Sequence, residues 1–397
     1  MKVGLRTGER CRAATVNSWI EISEERLAGN FGAVAEAVGT ETDVLAVVKA
    51  NAYGHGAEVC SVALARAGAK WLGVTCASEG ARVRRTLHAA GLVGDVAPRI
   101  LVMCGMMPED MATIVQHALT PAVWTAEQVS WLAGTGSRVH VEVETGMGRQ
   151  GVRPGQALDE LLDAMGDAGI VADGMLTHFC AAEVAASERT QAQERRFEAA
   201  IAQVRDRGLA VKWVHAGSSS SVDNPAQASP WLLELAHSVG ARAMVRCGIA
   251  LYGYCLPIEG AAMEPRLRPA LRPVMTWKTR VVDVREVSAG ETVGYNATFT
   301  APGPMRLALL RVGYSDGLRR ELCSTNAQPG GWVIVSGKGA AMVGRISMNL
   351  TMVDVTDIDD VRIGDEVVLL GDGVTADDHA RLAGTIPYEI LCGVRAG

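Results

Sequence analysis

Short apolar runs rich in β-branched residues recur through the first two-thirds of the chain: VLAVVKA (44–50), WLGVTC (71–76), ILVMCG (100–105), TPAVW (120–124), RVHVEVET (138–145), VADGMLTHF (171–179), KWVHAGS (212–218) and ARAMVRCGIA (241–250). Between them the apolar residues return every three to four positions, as in ERLAGNFGAVAEAV, GQALDELLDAMGDA and QERRFEAAIAQVRDRG. The first pattern predicts strands and the second amphipathic helices. Eight such strand and helix units in alternation predict an α/β fold, a (β/α)8 TIM-type barrel.

Near residue 265 the pattern changes to Pro-bearing loops and short strands, among them VMTWKTRVVDVREV, MRLALLRVGY, GWVIVSG and DEVVLLG. The expected division is a barrel over 18–264 and a C-terminal β domain over 265–397. Residues 1–17 are expected to join the second domain, and PIEGAAMEPRLRP to serve as linker.

The chain has 397 residues, enough for a barrel of ~250 residues and a smaller module. Its 38 basic and 44 acidic side chains leave a net charge of −6. Without long runs of either sign, this gives no electrostatic case for nucleic acid or a membrane surface. The N-terminus has no apolar signal region and no stretch is long enough to span a bilayer, so a cytoplasmic protein is expected. Nine cysteines without a C-x-x-C pair fit reduced, buried thiols better than disulfides or zinc. The eight histidines are scattered, and no metal site is expected.

The polar residues that stand out fall where the apolar runs end: Lys49 after the first, Glu142 and Arg149 around the fifth, His178 at the sixth, Ser219 past the seventh and Arg246 within the eighth. In barrels of this type the C-terminal strand ends carry the chemistry, although polar residues also collect wherever strands become loops. Lys49 is open to two readings. It is a surface lysine reaching solvent, or an amine kept neutral by apolar surroundings, able to condense with a carbonyl such as the aldehyde of pyridoxal 5'-phosphate (PLP).

The string K-A-N-A-Y-G-H-G (49–56) resembles the PLP-lysine signature of the alanine racemase family. TGMGRQGV (145–152), LTHF (176–179), MVRCGIALYG (244–253), GETVGYNATF (290–299), GYSDGLRR (313–320), VGRISMN (343–349) and IPYEIL (386–391) follow that family's order. The resemblance implies a PLP enzyme of fold-type III, homodimeric with composite active sites, that interconverts L- and D-alanine. It implies that Lys49 carries the cofactor and works on one face of the substrate Cα, with Tyr295 from the partner subunit on the other. Arg246 is expected at the pyridine nitrogen, where a guanidinium without acceptor capacity keeps that nitrogen unprotonated. Ser219, Gly248, Ile249, Tyr53 and Tyr388 are expected around the phosphate. His178 is expected against the cofactor ring, bracing Arg246. Arg149 is expected at the cofactor's phenolic oxygen or the substrate carboxylate, the backbone N–H of Met348 from the partner chain at that carboxylate, and Tyr314 at the narrowed entrance.

Three departures from the family pattern bear on substrate identity. Glu142 stands where many members carry a carbamylated lysine, and is expected to brace Arg149 as a permanent carboxylate. Met348–Asn349 replaces the usual Met-Asp pair, and the stretch between Ser219 and Arg246 is long, with a helix expected on SPWLLELAHSVGA. Three other functions stay open: a racemase of serine or another small amino acid, a fold-type III decarboxylase, and a non-catalytic PLP-binding protein. Arg246 speaks against the second and the C-terminal domain with Tyr295 against the third.

Overall fold

Eight parallel strands close into a barrel in a computed structural model that describes residues 17–227 and 230–396. A first strand, β1 (Ser18–Ile22), precedes it. The barrel strands are β2 (Thr42–Val47), β3 (Trp71–Val74), β4 (Arg99–Val102), β5 (Thr120–Val123), β6 (Arg138–Glu142), β7 (Val171–Leu176), β8 (Trp213–His215) and β9 (Arg242–Cys247). β9 pairs back onto β2 with Ala243 opposite Thr42 and Cys247 opposite Ala46, which closes the ring. Leu45, Leu72, Leu101, Val141, Met175, Val214 and Met244 are all buried. The helices outside follow the expected spacing. Glu24–Val38, for instance, starts at the Ser23 hydroxyl, which accepts from the Arg26 N–H, and buries Leu27, Phe31 and Val34.

The second sheet is antiparallel. Its strands are β10 (Met275–Val287), β13 (Met305–Leu310), β14 (Trp332–Val335), β15 (Lys338–Ala341), β16 (Thr351–Asp354) and β17 (Glu366–Leu370), in the order β15-β14-β17-β10-β13-β16, with β1 also on β10. A small hairpin, β11 (Thr292–Val293) with β12 (Phe299–Thr300), stands apart. The long β10 pairs β17 through Trp277–Arg280 and β13 through Val281–Val287, with a register shift between Val281 and Asp283. One extra residue there re-aims the strand from one neighbour to the next.

The chain divides into two compact units. Among the described residues, one holds Ile22–Met275 together with Thr385–Cys392, and the other holds residues 17–21, Thr276–Gly384 and residues 393–396. Asn17 belongs to the smaller unit, where its carbonyl accepts from the Thr279 hydroxyl, while residues 1–16 lie outside the described ones. The PIEGAAMEPRLRP segment is not an open linker. Asp223 Oδ1 accepts from the Leu267 and Arg268 N–H groups at 2.8 and 3.1 Å. Leu267, Leu271 and Val274 are buried, so apolar burial on the barrel outweighs the loop character of the prolines.

The cysteines also depart from expectation. Among the eight described, only Cys60, Cys247 and Cys255 are buried, and none forms a disulfide. Cys11 lies outside the described residues. Among the described residues no helix is long and apolar enough to cross a membrane, and no group of three His, Cys, Asp or Glu could hold a metal.

Candidate functional site

At the C-terminal ends of the strands the barrel unit encloses a cavity of about 260 Å³. Lys49, Tyr53, Glu142, Arg149, His178, Ser219, Arg246, Gly248, Ile249 and Tyr388 all line it. Loops that are far apart in sequence are brought together there because barrel closure gathers every strand end onto one rim.

Lys49 stands just past β2, where the backbone does something unusual. Ala50, Asn51, Ala52 and Tyr53 all have φ between 52° and 55°, a short left-handed turn of non-glycine residues. Each such residue costs roughly 1–2 kcal/mol, so the turn must be held from outside. The Glu79 carboxylate accepts from the Ala50 N–H (2.9 Å) and from the Thr75 N–H (2.8 Å). Asn51 Oδ1 accepts from the Ala57 N–H at 2.9 Å, and buried His55 Nδ1 sits 3.0 Å from the Ala52 and Tyr53 carbonyls. Sequence reading missed Glu79; its place in the first turn of the helix Ala77–Ala89, three residues after the N-cap Cys76, was the available signal. Glu79→Ala should lower stability by about 2–4 kcal/mol, since two charge-assisted bonds go, and Glu79→Gln by about half that. An unchanged urea midpoint in Glu79→Ala would show that the turn does not depend on this clamp.

Arg246 on β9 is buried and makes no ion pair among the described residues. Its Nη2 donates to the Thr177 carbonyl (2.7 Å) and lies 3.0 Å from His178 Nδ1; its Nη1 donates to the His215 carbonyl (3.3 Å) and lies 3.4 Å from His215 Nδ1. A guanidinium has five N–H groups, and Nε–H is left with no partner among the described residues. Burial pulls Arg246 down to about 10, against the pull of Glu142 in the other direction, so it stays charged at neutral pH.

Because arginine cannot accept, it fixes its neighbours' tautomers. His178 and His215 accept at Nδ1 and carry their protons on Nε2. His215 Nε2 then donates across 2.8 Å to His140 Nδ1. Burial first, then the positive charges of Arg246, Arg149 and Lys49, push His178 down to about 3; burial does the same to His140. His55 falls to about 4, again by burial. These rings are neutral in the fold and protonate on unfolding below their ordinary 6.5, so the unfolded chain binds more protons. Stability is therefore complete above that value and lost as pH falls, by about 1.4 kcal/mol per pH unit for each ring. Urea midpoints measured from about pH 7.5 to about pH 5 should fall steeply, whereas a flat profile would mean the rings are charged in the fold.

The expected Glu142–Arg149 brace is not formed. Glu142 on β6 points into the barrel mouth and accepts from Gln150 Nε2 at 2.6 Å, and the same amide reaches the Met103 carbonyl at 2.9 Å. The turn through Gly146–Arg149 is clamped instead by Glu144, whose carboxylate takes the N–H groups of Gly146, Gly148 and Arg149. That clamp turns Gln150 inward and leaves Arg149 exposed at the cavity. Arg149 acts on Glu142 only as a nearby charge, secondary to burial, which raises the Glu142 pKa. Gln150 stands inside the TGMGRQ motif, so its position was legible while its role was not.

On the other side of the cavity the helix Ser219–Asp223 begins at Ser219, whose Oγ accepts from the Gly248 and Ala250 N–H groups at 3.1 and 3.2 Å. Tyr53 packs on Tyr252 and Tyr388, with ring centroids 5.1 and 5.9 Å apart, and burial raises the pKa of both Tyr53 and Tyr388. A Cβ on Gly248 would stand 2.1 Å from the Tyr53 hydroxyl, so only glycine leaves this end open. Hydroxyls, phenols and a side-chain-free backbone are a donor set suited to a phosphate. The long stretch before Arg246 contains a helix, Trp231–His237.

Tyr295, Tyr314 and Met348 belong to the smaller unit, with exposures of 64%, 45% and 55%. The Ser315 N–H and hydroxyl donate to the Met348 carbonyl at 3.0 and 2.8 Å, and Asn349 Nδ2 donates to the Ser315 hydroxyl at 2.6 Å. A Cβ on Gly294, next to Tyr295, would meet the Arg345 nitrogen at 2.9 Å. These packed loops present Tyr295, Tyr314 and Met348 outward.

Comparison with known proteins gives one answer. The family model described as alanine racemase, N-terminal domain, matches residues 22–256, and that for the C-terminal domain matches 274–397. The alanine racemase of Syntrophobacter fumaroxidans is 34% identical over 391 residues, 95% of each chain. That of Desulfosudis oleivorans is 36% identical over 400 residues, 95% of this chain and 94% of the other. Among solved structures, the alanine racemase from Streptomyces coelicolor A3(2) superimposes with a TM-score of 0.82 at 31% identity, over 95% of this chain and 96% of the other. The one from Bartonella henselae, with covalently bound pyridoxal phosphate, gives 0.76 at 25% identity, over 95% of this chain and 97% of the other. With both domain models matched in order and relatives aligned over nearly its full length, the chain belongs to the alanine racemase family.

Proposed function

We propose that the protein is a PLP-dependent alanine racemase that works as a homodimer. The observation that carries this reading is a charged Arg246 with one uncommitted N–H in the same cavity as Lys49. Bound PLP supplies an electron-withdrawing ring that acidifies the Cα–H of an attached amino acid. Arg246 Nε–H offers a hydrogen bond to the pyridine nitrogen but has no proton to give up at neutral pH, which moderates that withdrawal and favours return of the proton over side reactions.

Lys49 would hold the cofactor, and its amine would take or return the Cα proton on one face. Tyr295 of a second copy holds the proton on the opposite face. Inversion needs two groups of this kind on opposite sides, because one alone returns the proton where it was taken. Arg149 and the Met348 N–H of the second copy orient the substrate carboxylate. Ser219, Gly248, Ile249, Tyr53 and Tyr388 hold the phosphate, His178 supports Arg246, and Tyr314 of the second copy narrows the entrance. The outward placement of Tyr295, Tyr314 and Met348 on tied loops supports the composite site.

A cavity of about 260 Å³ that must also contain PLP favours a small substrate, alanine first and serine next. The free thiols support a cytoplasmic setting. The test is solvent exchange: L-alanine incubated in deuterated buffer with the PLP-loaded protein should gain deuterium at Cα in the D-product. Exchange confined to the L-enantiomer, or loss of the carboxylate, would reject racemisation.

A further inference from the structure

The opposite mouth of the barrel, at the N-terminal ends of the strands, holds a second and larger cavity of about 660 Å³. Arg99 opens β4, Thr120 opens β5, Arg138 opens β6, Lys212 precedes β8, and Arg84 reaches in from the helix Ala77–Ala89. All of these line the cavity, and no Asp or Glu is among the lining residues.

One carboxylate lies beneath them. Asp173 is 1% exposed, with Arg99 Nη2 at 2.8 Å, Arg138 Nη1 at 2.9 Å and Lys212 Nζ at 3.7 Å. A single negative charge faces three positive ones. Arg84 adds a fourth with no carboxylate partner among the described residues: its buried guanidinium donates to the carbonyls of Pro98 and His117 at 3.0 and 3.1 Å. Carbonyl dipoles orient a guanidinium but do not cancel its charge, and burial accordingly lowers the Arg84 pKa. The excess is local, since the whole chain carries −6.

Arg99 is also fixed in place. The Arg99 guanidinium lies 4.3 and 4.9 Å from the Trp71 and Trp213 ring centroids, and its Nη2 also reaches the Thr120 hydroxyl at 3.4 Å. Several guanidinium and ammonium groups gathered around one carboxylate favour a ligand with several negative oxygens at once. Neutralising Asp173 needs one cation, and the structural role of the cluster does not account for the other charges.

We infer that this N-terminal mouth binds a multivalent oxyanion of the phosphate class, either free or as part of a small phosphorylated metabolite. It is separate from the cofactor's phosphate position, which lies at the opposite end of the strands.

The test is isothermal titration of pyrophosphate, and separately of ATP, into the PLP-loaded protein at constant ionic strength held with chloride. Loading with PLP keeps the cofactor's phosphate position occupied. Saturable binding that weakens as ionic strength rises is expected. Lys212→Glu should weaken it about tenfold or more, since it removes one charge-assisted contact and adds repulsion, while leaving deuterium exchange at alanine unchanged. Arg138→Gln is the second variant, in case the first fails to fold, and the same loss of affinity is expected. ATP and pyrophosphate binding alike would point to a free anion, and tighter ATP binding to a phosphorylated metabolite. No heat beyond the chloride control, or unchanged affinity in both variants, would overturn the inference.

Discussion

Lys49→Ala should abolish racemisation, with turnover falling by about 10⁴-fold or more, because the covalent tether and the proton carrier for one face disappear together. Its position makes it hard to replace. It follows Val47 and Val48, both buried, and precedes the left-handed turn that fixes where its side chain starts. Borohydride reduction of the loaded wild-type protein, followed by peptide mapping, should find the pyridoxyl group on Lys49. A label on another lysine, or an active Lys49→Ala protein, would remove this residue from the centre of the account.

Tyr295→Phe should cut racemisation by about 10²–10⁴-fold, the range over which a positioned acid or base accelerates proton transfer. The change keeps the ring and removes only the exchangeable proton. The residue is 64% exposed and heads a short helical turn, Tyr295–Ala297, so folding and cofactor loading should survive. Solvent deuterium should still enter from the Lys49 face, and far less from the other. A variant exchanging equally from both enantiomers would show that Tyr295 is a surface aromatic without a part in the chemistry.

The eight barrel strands were legible because each is a short apolar run bounded by turns, and the helix faces because their apolar residues recur at helical spacing. The left-handed turn after Lys49 was not. Ala50, Ala52 and Tyr53 carry no signal for positive φ, and the clamp from Glu79 comes from the first turn of a different element, the helix Ala77–Ala89. Arg149 and Gln150 are adjacent in the motif, yet the backbone clamp from Glu144 decides which of the two reaches Glu142, a choice no spacing reveals. The tail reads as a β domain up to a point. Residues 385–392, including Tyr388, fold with the barrel unit, and composition gives no hint of that return. Only the likeness of IPYEIL to a family motif placed Tyr388 near the cofactor.

Enantiomers have equal free energies in achiral solvent, so a racemase has one unavoidable end point. The PLP-loaded protein should be incubated with a panel of L-amino acids and the products separated by chiral chromatography. L-Alanine should become an equal mixture of L- and D-alanine, D-alanine should reach the same mixture, and bulky amino acids should stay unchanged. Alanine recovered wholly as the L-form, with another amino acid racemised or decarboxylated in its place, would contradict the account.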